Sequence, residues 1–308
     1  MDVLMAILGL DEREYFARGH RACAGCGESL ALRLLMKVAG PNTIVCQCTG
    51  CMEVVSTPYP ETAWEVPWVH SAFENNSAVA SGVERALKVL GKEDVNVLVL
   101  GGDGGTYDIG LQCLSGAFER GHNITYICTD NEAYMNTGIQ RSGATPYGAS
   151  TTTSPAGKVS IGKHEGKKDL IHIMAAHGAP YLATASVGYH TDFLRKVKTA
   201  LATKGPKFLN VYVPCVPGWR IEPEACIKVA KLGVDTGATP LFEIIDGKHK
   251  LNMPVDSSKL KPVEEYLKLQ GRFRHLFKPE RNETELARIQ KSVKDGVDRL
   301  KELSDKGC

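Results

Sequence analysis

"VNVLVLGGDGGTYDIGLQCLSGAFERGHNITYICTD", residues 95–130, contains the pattern that decides the fold of this chain. Its first part, 95–102, is mostly β-branched or aliphatic, which predicts a buried strand that ends in glycines. An amphipathic helix is predicted at 108–121, where Gly121 ends it, and a second strand at 123–130. A strand, a helix and another strand in this order form the unit from which parallel sheets are built.

The same alternation of strands and helices continues further along the chain. Two more strands are predicted at 181–187 and 206–214. Helical patterns lie near 168–178 and 190–203. The sequence therefore predicts an α/β fold, a parallel sheet with helices on both faces, in one domain that covers residues 1–245. Ligands of such sheets bind at the carboxyl ends of the strands.

The C-terminal part of the chain differs in composition from this domain. The segments 261–279 and 283–303 are charged and amphipathic at the helical period, and no strand is predicted between them. We expect residues 246–308 to form a helical C-terminal extension that packs on the domain or on a partner subunit. The Gly-, Ser- and Thr-rich connection at 131–167 has no helical period, and loops of this length are usually functional or disordered.

The charge and composition of the chain exclude several classes of partner. A formal net charge of +2, with basic residues scattered among acids, gives no reason to expect nucleic acid or an anionic membrane surface. The N-terminal residues are apolar for about ten positions without a basic region, and no apolar run approaches the roughly twenty residues of a membrane span. We therefore expect a cytoplasmic protein, in which the ten cysteines do not form a disulfide framework.

The segment "GGDGGTYDIG" at 101–110 sets Asp103 among glycines, directly after a strand and before a helix. Glycines let phosphate oxygens approach the backbone, and a helix N-terminus offers N–H donors to them. A carboxylate beside a diphosphate requires a cation between them, and Mg²⁺ prefers such oxygen ligands. Asn131 follows the next strand, 28 positions later, and lies beside Asp103 in a parallel sheet. The alternative interpretation is a glycine-rich turn in which Asp103 caps the helix.

A GDG sequence followed by an Asn at this distance resembles the motif of thiamine diphosphate enzymes. The segments "ACAGCGE", "TGCMEVV", "GGDGGTYDIGLQ", "NEAYMNTGIQRS" and "PCVPGW" together resemble the β subunits of pyruvate:ferredoxin oxidoreductases. The resemblance extends from Tyr15 to Phe277 and includes "EEYLKLQGRFRHLF". It implies a thiamine diphosphate-binding domain of the diphosphate type, which carries thiamine diphosphate, Mg²⁺ and a [4Fe–4S] cluster.

The resemblance also implies roles for individual residues. Mg²⁺ is expected on Asp103, Asn131 and the Ala133 carbonyl, and Asn136 is expected to reach the reacting end of the substrate as a catalytic residue. On the alternative interpretation, Glu28 is an ordinary acidic residue in the first turn of a helix, and Asn136 is a turn residue. The expected cofactor-binding residues are Glu28, Cys51, Gly102, Asp103, Gly104, Gly105, Asn131, Glu132, Ala133, Tyr134, Met135 and Asn136.

Four cysteines are assigned by the resemblance as ligands of the [4Fe–4S] cluster. From the residues alone, four thiolates with one CxxC pair suit either zinc or a cubane cluster, and the spacing slightly favours zinc. A neighbouring cofactor that generates a carbanion favours the cluster, because zinc cannot accept the electrons. The expected ligands are Cys23, Cys26, Cys51 and Cys215, whereas the resemblance leaves Cys46, Cys48 and Cys226 outside the cluster.

The reaction implied by the resemblance is the reversible oxidative decarboxylation of pyruvate with coenzyme A to acetyl-CoA, CO₂ and reduced ferredoxin. In this family an α-type subunit supplies the glutamate that activates thiamine and further substrate contacts. Ferredoxin-like γ and δ subunits are further expected partners, because the sequence has no CxxCxxCxxxCP run of its own. Two alternatives remain open. The substrate is another 2-oxoacid (oxalate, 2-oxoisovalerate or 2-oxoglutarate), or the chain is a zinc-stabilised binding subunit without redox function.

Overall fold

An eight-stranded sheet forms the centre of the computed structural model, which describes residues 9–58, 60–253 and 259–307. The strand order is β2-β1-β3-β4-β6-β5-β7-β8. The first six strands in this order are parallel, as the alternation of strands and helices predicts. The strands are β1 (Thr43–Cys48), β2 (Trp68–Ser71), β3 (Asn96–Gly102), β4 (Thr125–Asp130), β5 (Tyr181–Ser186), β6 (Lys207–Tyr212), β7 (Phe242–Ile245) and β8 (Lys248–Leu251).

Helices cover both faces of the sheet, which confirms the predicted fold class. Because side chains alternate along a strand, Leu98 and Leu100 of β3 belong to the core on one face, while Val97 and Val99 belong to the core on the other. The helices are α1 (Gly27–Ala39), α2 (Cys51–Ser56), α3 (Asn76–Val89), α4 (Leu111–Glu119), α5 (Leu170–Ala175), α6 (His190–Ala202), α7 (Val216–Trp219), α8 (Cys226–Asp235), α9 (Val263–Leu267) and α10 (Glu283–Lys306). Helices α1 and α6 pack on the first face, and α3, α4 and α5 on the second.

The far edge of the sheet corrects the prediction in one respect. Strands β7 and β8 form an antiparallel hairpin on β5, so the sheet is mixed at this edge. The sequence predicts only helices at 246–308, whereas β8 lies in this range and belongs to the sheet. Helix α10 packs against β8 and buries Leu286, Ile289, Val297 and Leu300.

No helix in the described ranges is long and apolar enough to cross a membrane. The apolar segment at the N-terminus lies largely outside the described residues, as does Cys308.

The register of the central strands brings two loops together. Gly102 at the end of β3 pairs with Thr129 near the end of β4. Asp103 and Asn131, the residues that follow these two strands, therefore lie side by side at the carboxyl edge of the sheet. After Asp103 the chain enters a π-helical turn (Gly104–Ile109) before α4 begins. The carboxyl edge of β3 and β4 is where a parallel sheet places its ligand.

One glycine fixes how closely α8 approaches the sheet. Gly188 lies in the 3₁₀ turn Val187–Tyr189 that follows β5. A Cβ atom at Gly188 would lie 2.6 Å from the backbone nitrogen of Lys231 and 2.8 Å from the carbonyl carbon of Ala230, both in α8. Backbone atoms cannot move aside as the end of a flexible side chain can, so this position requires glycine.

We predict that Gly188→Ala lowers the free energy of unfolding by about 1–3 kcal/mol, because α8 must shift away from the sheet. Gly82 in α3 is the matched control, since no atom lies within 4 Å of a Cβ at this exposed position. Gly82→Ala should leave the stability unchanged or raise it by up to about 1 kcal/mol. Urea unfolding of both variants measures the difference. A Gly188→Ala midpoint at or above that of the wild type would contradict the close approach.

Candidate functional site

Asp103 is the central side chain of the site, and it is 1% exposed. Ser142 donates a hydrogen bond from its Oγ to Asp103 Oδ2 at 2.5 Å. Burial, and then the nearby Asp130 carboxylate, raise the pKa of Asp103 well above its usual value. A divalent cation beside Asp103 would oppose this shift and keep the carboxylate ionised.

Asn131 presents an oxygen that has no partner in the described structure. Its Oδ1 is buried without a hydrogen bond, while its main-chain carbonyl accepts one from Trp219 Nε1 at 2.7 Å. An unsatisfied buried amide oxygen is costly, and such an atom calls for an explanation such as an ion. An aspartate carboxylate and a free amide oxygen at one edge of the sheet are ligands that suit Mg²⁺. The residues therefore fit a magnesium ion.

A cleft of about 50 Å³ lies between the ends of β3 and β4. Gly102 leaves it open, because no atom lies within 4 Å of a Cβ built there. Gly104 is closed in by the Tyr134 ring, 2.5 Å from such a Cβ, so a side chain at position 104 would displace this ring. The cleft is lined by the predicted residues Glu28, Cys51, Gly102, Asp103, Gly104, Gly105, Asn131, Ala133, Tyr134, Met135 and Asn136, together with Thr49, Gly50, Phe73 and Thr137.

Glu132 is the one predicted cofactor-binding residue that does not line the cleft. Its carboxylate instead pairs with Lys167 at 2.9 Å and with Arg272 at 2.5 Å. Burial acts to raise the pKa of Glu132, but the charges of Lys167 and Arg272 outweigh burial and lower it. The side chain of Glu132 thus serves an ion-pair network behind the cleft.

The four predicted cluster cysteines line one cavity of about 210 Å³, which borders the cleft. Burial raises the pKa of Cys26 to about 11 and that of Cys215 to about 12, so these thiols need a bound metal to ionise at neutral pH. Cys51 is shifted in the same direction, also first by burial, and its pKa lies higher still. The donor set and the cavity fit a metal–sulfur cluster held by Cys23, Cys26, Cys51 and Cys215.

The described part of the chain contains no group of three His, Cys, Asp or Glu side chains that could hold a single metal ion as they stand. The three cysteines that the resemblance leaves outside the cluster, Cys46, Cys48 and Cys226, also lie outside the cavity. Cys46 and Cys48 are buried in β1, and Cys226 is buried at the start of α8, with its Sγ 4.0 Å from the Pro214 carbonyl oxygen.

The cleft and the cysteine cavity share a wall. Four residues line both spaces: Glu28, Cys51, Met135 and Asn136. Glu28 is 5% exposed in the first turn of α1, and its Oε1 accepts a hydrogen bond from Thr129 Oγ1 at 2.7 Å. Burial raises the pKa of Glu28, and hydrogen bonds from Thr129, Asn131 and Cys51 oppose this shift. Asn136 is exposed at the mouth of both spaces.

Several residues of the site escape prediction from the sequence. Ser142 and Lys167 lie in the long connection 131–167, where only the length of the loop indicated a function. Trp219 and Arg272 occur within "PCVPGW" and "EEYLKLQGRFRHLF", two segments that carried the family resemblance without a role for these side chains. The contacts of all four cross between distant parts of the chain.

Comparison with known proteins yields a domain family for the central part of the chain. Residues 48–211 match the family described as thiamine pyrophosphate enzyme, C-terminal TPP binding domain. The matched range includes the ends of β3 and β4, and so the whole of the GDG segment and Asn131.

Relatives match almost the entire chain. Pyruvate synthase subunit PorB of Methanothermobacter thermautotrophicus is 57% identical over 92% of this chain and 96% of its own length. PorB of Methanocaldococcus jannaschii is 53% identical over 94% of this chain and 97% of its own length. Ketoisovalerate oxidoreductase subunit VorB of Pyrococcus furiosus is 47% identical over 95% of this chain and 94% of its own length.

Among solved structures, the 2-oxoglutarate:ferredoxin oxidoreductase of Magnetococcus marinus is similar to this chain with a TM-score of 0.57. The match has 22% sequence identity and covers 74% of this chain and 83% of that one. At this level of identity the likeness concerns the fold.

Proposed function

The chain belongs to the family of the pyruvate synthase PorB subunits, and from this premise we propose that it is the β subunit of a pyruvate:ferredoxin oxidoreductase. In this proposal the chain binds thiamine diphosphate, Mg²⁺ and a [4Fe–4S] cluster. The observation that carries it is the unpartnered Asn131 Oδ1 beside the buried Asp103 carboxylate, in a matched thiamine pyrophosphate-binding domain.

The diphosphate group of the cofactor would lie against the glycines that follow β3. Gly102 leaves space for it, and the main-chain N–H groups of Gly104 and Gly105 are at the start of the π-helical turn. Mg²⁺ would be held by Asp103, Asn131 and the Ala133 carbonyl. Tyr134 donates a hydrogen bond to Asp108 at 3.0 Å and so keeps its ring over the glycine turn.

When bound, thiamine diphosphate supplies the electron sink for decarboxylation of a 2-oxoacid, and the cluster accepts electrons one at a time. The shared wall supports this pairing, because Glu28, Cys51 and Met135 separate the two spaces by only one layer of side chains. Glu28 is buried with a raised pKa, and the hydrogen bond that it accepts from Thr129 orients it toward the cleft. Asn136, at the mouth, is the residue of this chain that we propose to contact the substrate.

We propose that the chain is catalytic only within a complex. An α-type subunit would cover the exposed mouth at Asn136 and Thr137 and supply the activating glutamate and further substrate contacts. Ferredoxin-like γ and δ subunits would carry the electrons to ferredoxin, with pyruvate and coenzyme A as substrates. The curated relatives described above are all named as subunits, which supports an assembly. We propose the cytoplasm as its location, because the four cluster cysteines must remain reduced.

One specific observation supports a second candidate substrate. The VorB relatives are 47% and 48% identical to this chain, and their names specify ketoisovalerate, the 2-oxoacid with a branched side chain. The three PorB relatives from Methanothermobacter and Methanocaldococcus reach 53% to 57%. This difference favours pyruvate.

The first test uses the chain alone and in the assembled complex. We expect the purified chain to show no 2-oxoacid-dependent reduction of a viologen dye, and addition of the partner subunits to restore it. Pyruvate should then give a higher kcat/KM than 2-oxoisovalerate. Robust turnover by the isolated chain would show that it contains its own activating carboxylate. Analysis for iron and sulfide under anaerobic conditions tells whether the cysteines bind an iron–sulfur cluster or zinc.

Asp103→Ala is expected to weaken Mg²⁺-dependent binding of thiamine diphosphate by at least about 100-fold. Loss of a residue that binds the metal directly lowers the affinity more than loss of a residue that only contacts a ligand. Asp94 is the matched control, since it is an exposed aspartate at the other end of β3. Asp94→Ala should bind the cofactor as the wild type does. Isothermal titration of the cofactor-free complex measures both affinities, and a wild-type affinity in Asp103→Ala would show that the cation lies elsewhere.

Cys51→Ser should lose or degrade the cluster, whereas Cys46→Ser should retain it. A serine oxygen replaces a cluster thiolate poorly, and Cys46 is a fully buried residue of β1 outside the cavity. Iron content and the paramagnetic signal of the reduced complex are the measurements. An unchanged signal in Cys51→Ser would remove this residue from the proposed ligands.

A further inference from the structure

Glu132 adopts a backbone conformation that side chains other than glycine rarely tolerate. Its φ is +68°, in the left-handed region, and the residue is 4% exposed. It lies between Asn131 and Ala133, the two residues of this loop that we propose to bind Mg²⁺. The left-handed conformation is disfavoured for a residue with a Cβ, so contacts of the Glu132 side chain must maintain it.

Two basic side chains supply these contacts. Arg272 Nη2 lies 2.5 Å from Glu132 Oε2, and Lys167 Nζ lies 2.9 Å from Glu132 Oε1. Lys167 also pairs with Asp130 at 2.6 Å, whereas Glu132 is the one carboxylate that Arg272 pairs with among the described residues. Arg272 is itself 2% exposed, so its removal would leave a charge of Glu132 buried and only partly compensated.

Arg272 has a second contact, with the neighbouring segment. Its guanidinium carbon lies 3.8 Å from the centre of the Trp219 ring, as in a cation–π pair. Trp219 Nε1 in turn donates to the main-chain oxygen of Asn131 at 2.7 Å. The same arginine therefore supports the loop on both sides of the Asn131–Glu132 peptide bond.

Trp219 also connects this arginine to the cysteine cavity. The Trp219 main-chain N–H donates to the Cys215 carbonyl at 2.9 Å, and both residues belong to the short segment that contains α7. Cys215 lines the cysteine cavity, while Arg272 lines neither that cavity nor the cleft. Arg272 thus lies where the segment that carries Asn131 meets the segment that carries Cys215.

We propose that Arg272 is a positioning residue that holds both segments in register. Through Glu132 it fixes the directions of Asn131 Oδ1 and the Ala133 carbonyl, and through Trp219 it fixes the approach of Cys215 to the shared wall. The inference rests on the proposed function, since it assigns to Arg272 the alignment of the magnesium ligands with the cluster ligand.

The test uses the assembled complex, freed of thiamine diphosphate and titrated with it at a fixed Mg²⁺ concentration. Arg272→Gln should bind the cofactor about 10–100-fold more weakly, as loss of an outer partner of a metal site does. The paramagnetic signal of its reduced cluster should also change, because Cys215 is displaced. Arg272→Lys should regain part of the affinity, since lysine keeps the charge but not the planar, stacked fork.

A matched control separates positioning from general stability. Arg195 pairs with the buried carboxylate of Glu243 at 2.8 Å on the β5–β7 side of the sheet, away from the cleft. Arg195→Gln should lower the unfolding midpoint and leave the cofactor affinity unchanged. In addition, the loss of affinity in the double variant Arg272→Gln, Glu132→Gln should be smaller than the sum of the losses in the two single variants, because the two residues are in direct contact. Additive losses would show that Arg272 does not act through Glu132.

The outcomes distinguish this inference from the proposed function. A wild-type complex that binds no thiamine diphosphate overturns the proposed function and the inference with it. A wild-type complex that binds it, with Arg272→Gln within about twofold of the same affinity, overturns the inference alone. If Arg272→Gln does not fold, Trp219→Phe is the variant to test. Phenylalanine retains a ring beneath Arg272 but lacks the indole N–H that donates a hydrogen bond to the main-chain oxygen of Asn131. We expect weaker cofactor binding in Trp219→Phe, and an unchanged affinity counts against the inference.

Discussion

The burial of several carboxylates at one edge of the sheet is the constraint on which the rest of the site depends. Asp103, Asp130, Glu132 and Glu28 are each at most 5% exposed. The ion pairs of the described residues compensate Asp130 and Glu132 through basic side chains, and leave Asp103 and Glu28 without a basic partner. An ionised carboxylate in such a place is costly unless it is paired or binds a metal. Burial raises the pKa of both Asp103 and Glu28, and the magnesium ion that we propose at Asp103 would oppose this shift there.

The features of the fold that follow from local chemistry could be predicted from the sequence. β-branched runs gave the positions of β3 and β4, and the pairing of parallel strands then placed Asp103 next to Asn131. The CxxC pair and the distant Cys51 and Cys215 could be grouped only through the family resemblance. The role of Glu132 could not be predicted, because its direction depends on one left-handed φ and on partners 35 and 140 positions away in the sequence.

The hairpin at the far edge was missed for a related reason. The β8 segment Lys248–Leu251 has the sequence KHKL, which is short and charged and resembles the helical segments that follow it. Pairing with β7 and cover from α10 make it a strand, so tertiary contacts outweigh its local preference. Its two lysines point to solvent, and charged residues on an edge strand discourage pairing with a second sheet.

The separation of Glu132 and Arg272 along the chain also determines when the site can be completed during protein synthesis. The two residues are 140 positions apart. At an elongation rate of about 5–20 residues per second, Arg272 is made roughly 7 to 28 seconds after Glu132. Until then the strands of the sheet can pair, but the loop after β4 lacks the contact that holds its left-handed turn. The loop after β4, which we propose to bind the metal ion, is therefore among the last parts of the nascent protein to become rigid.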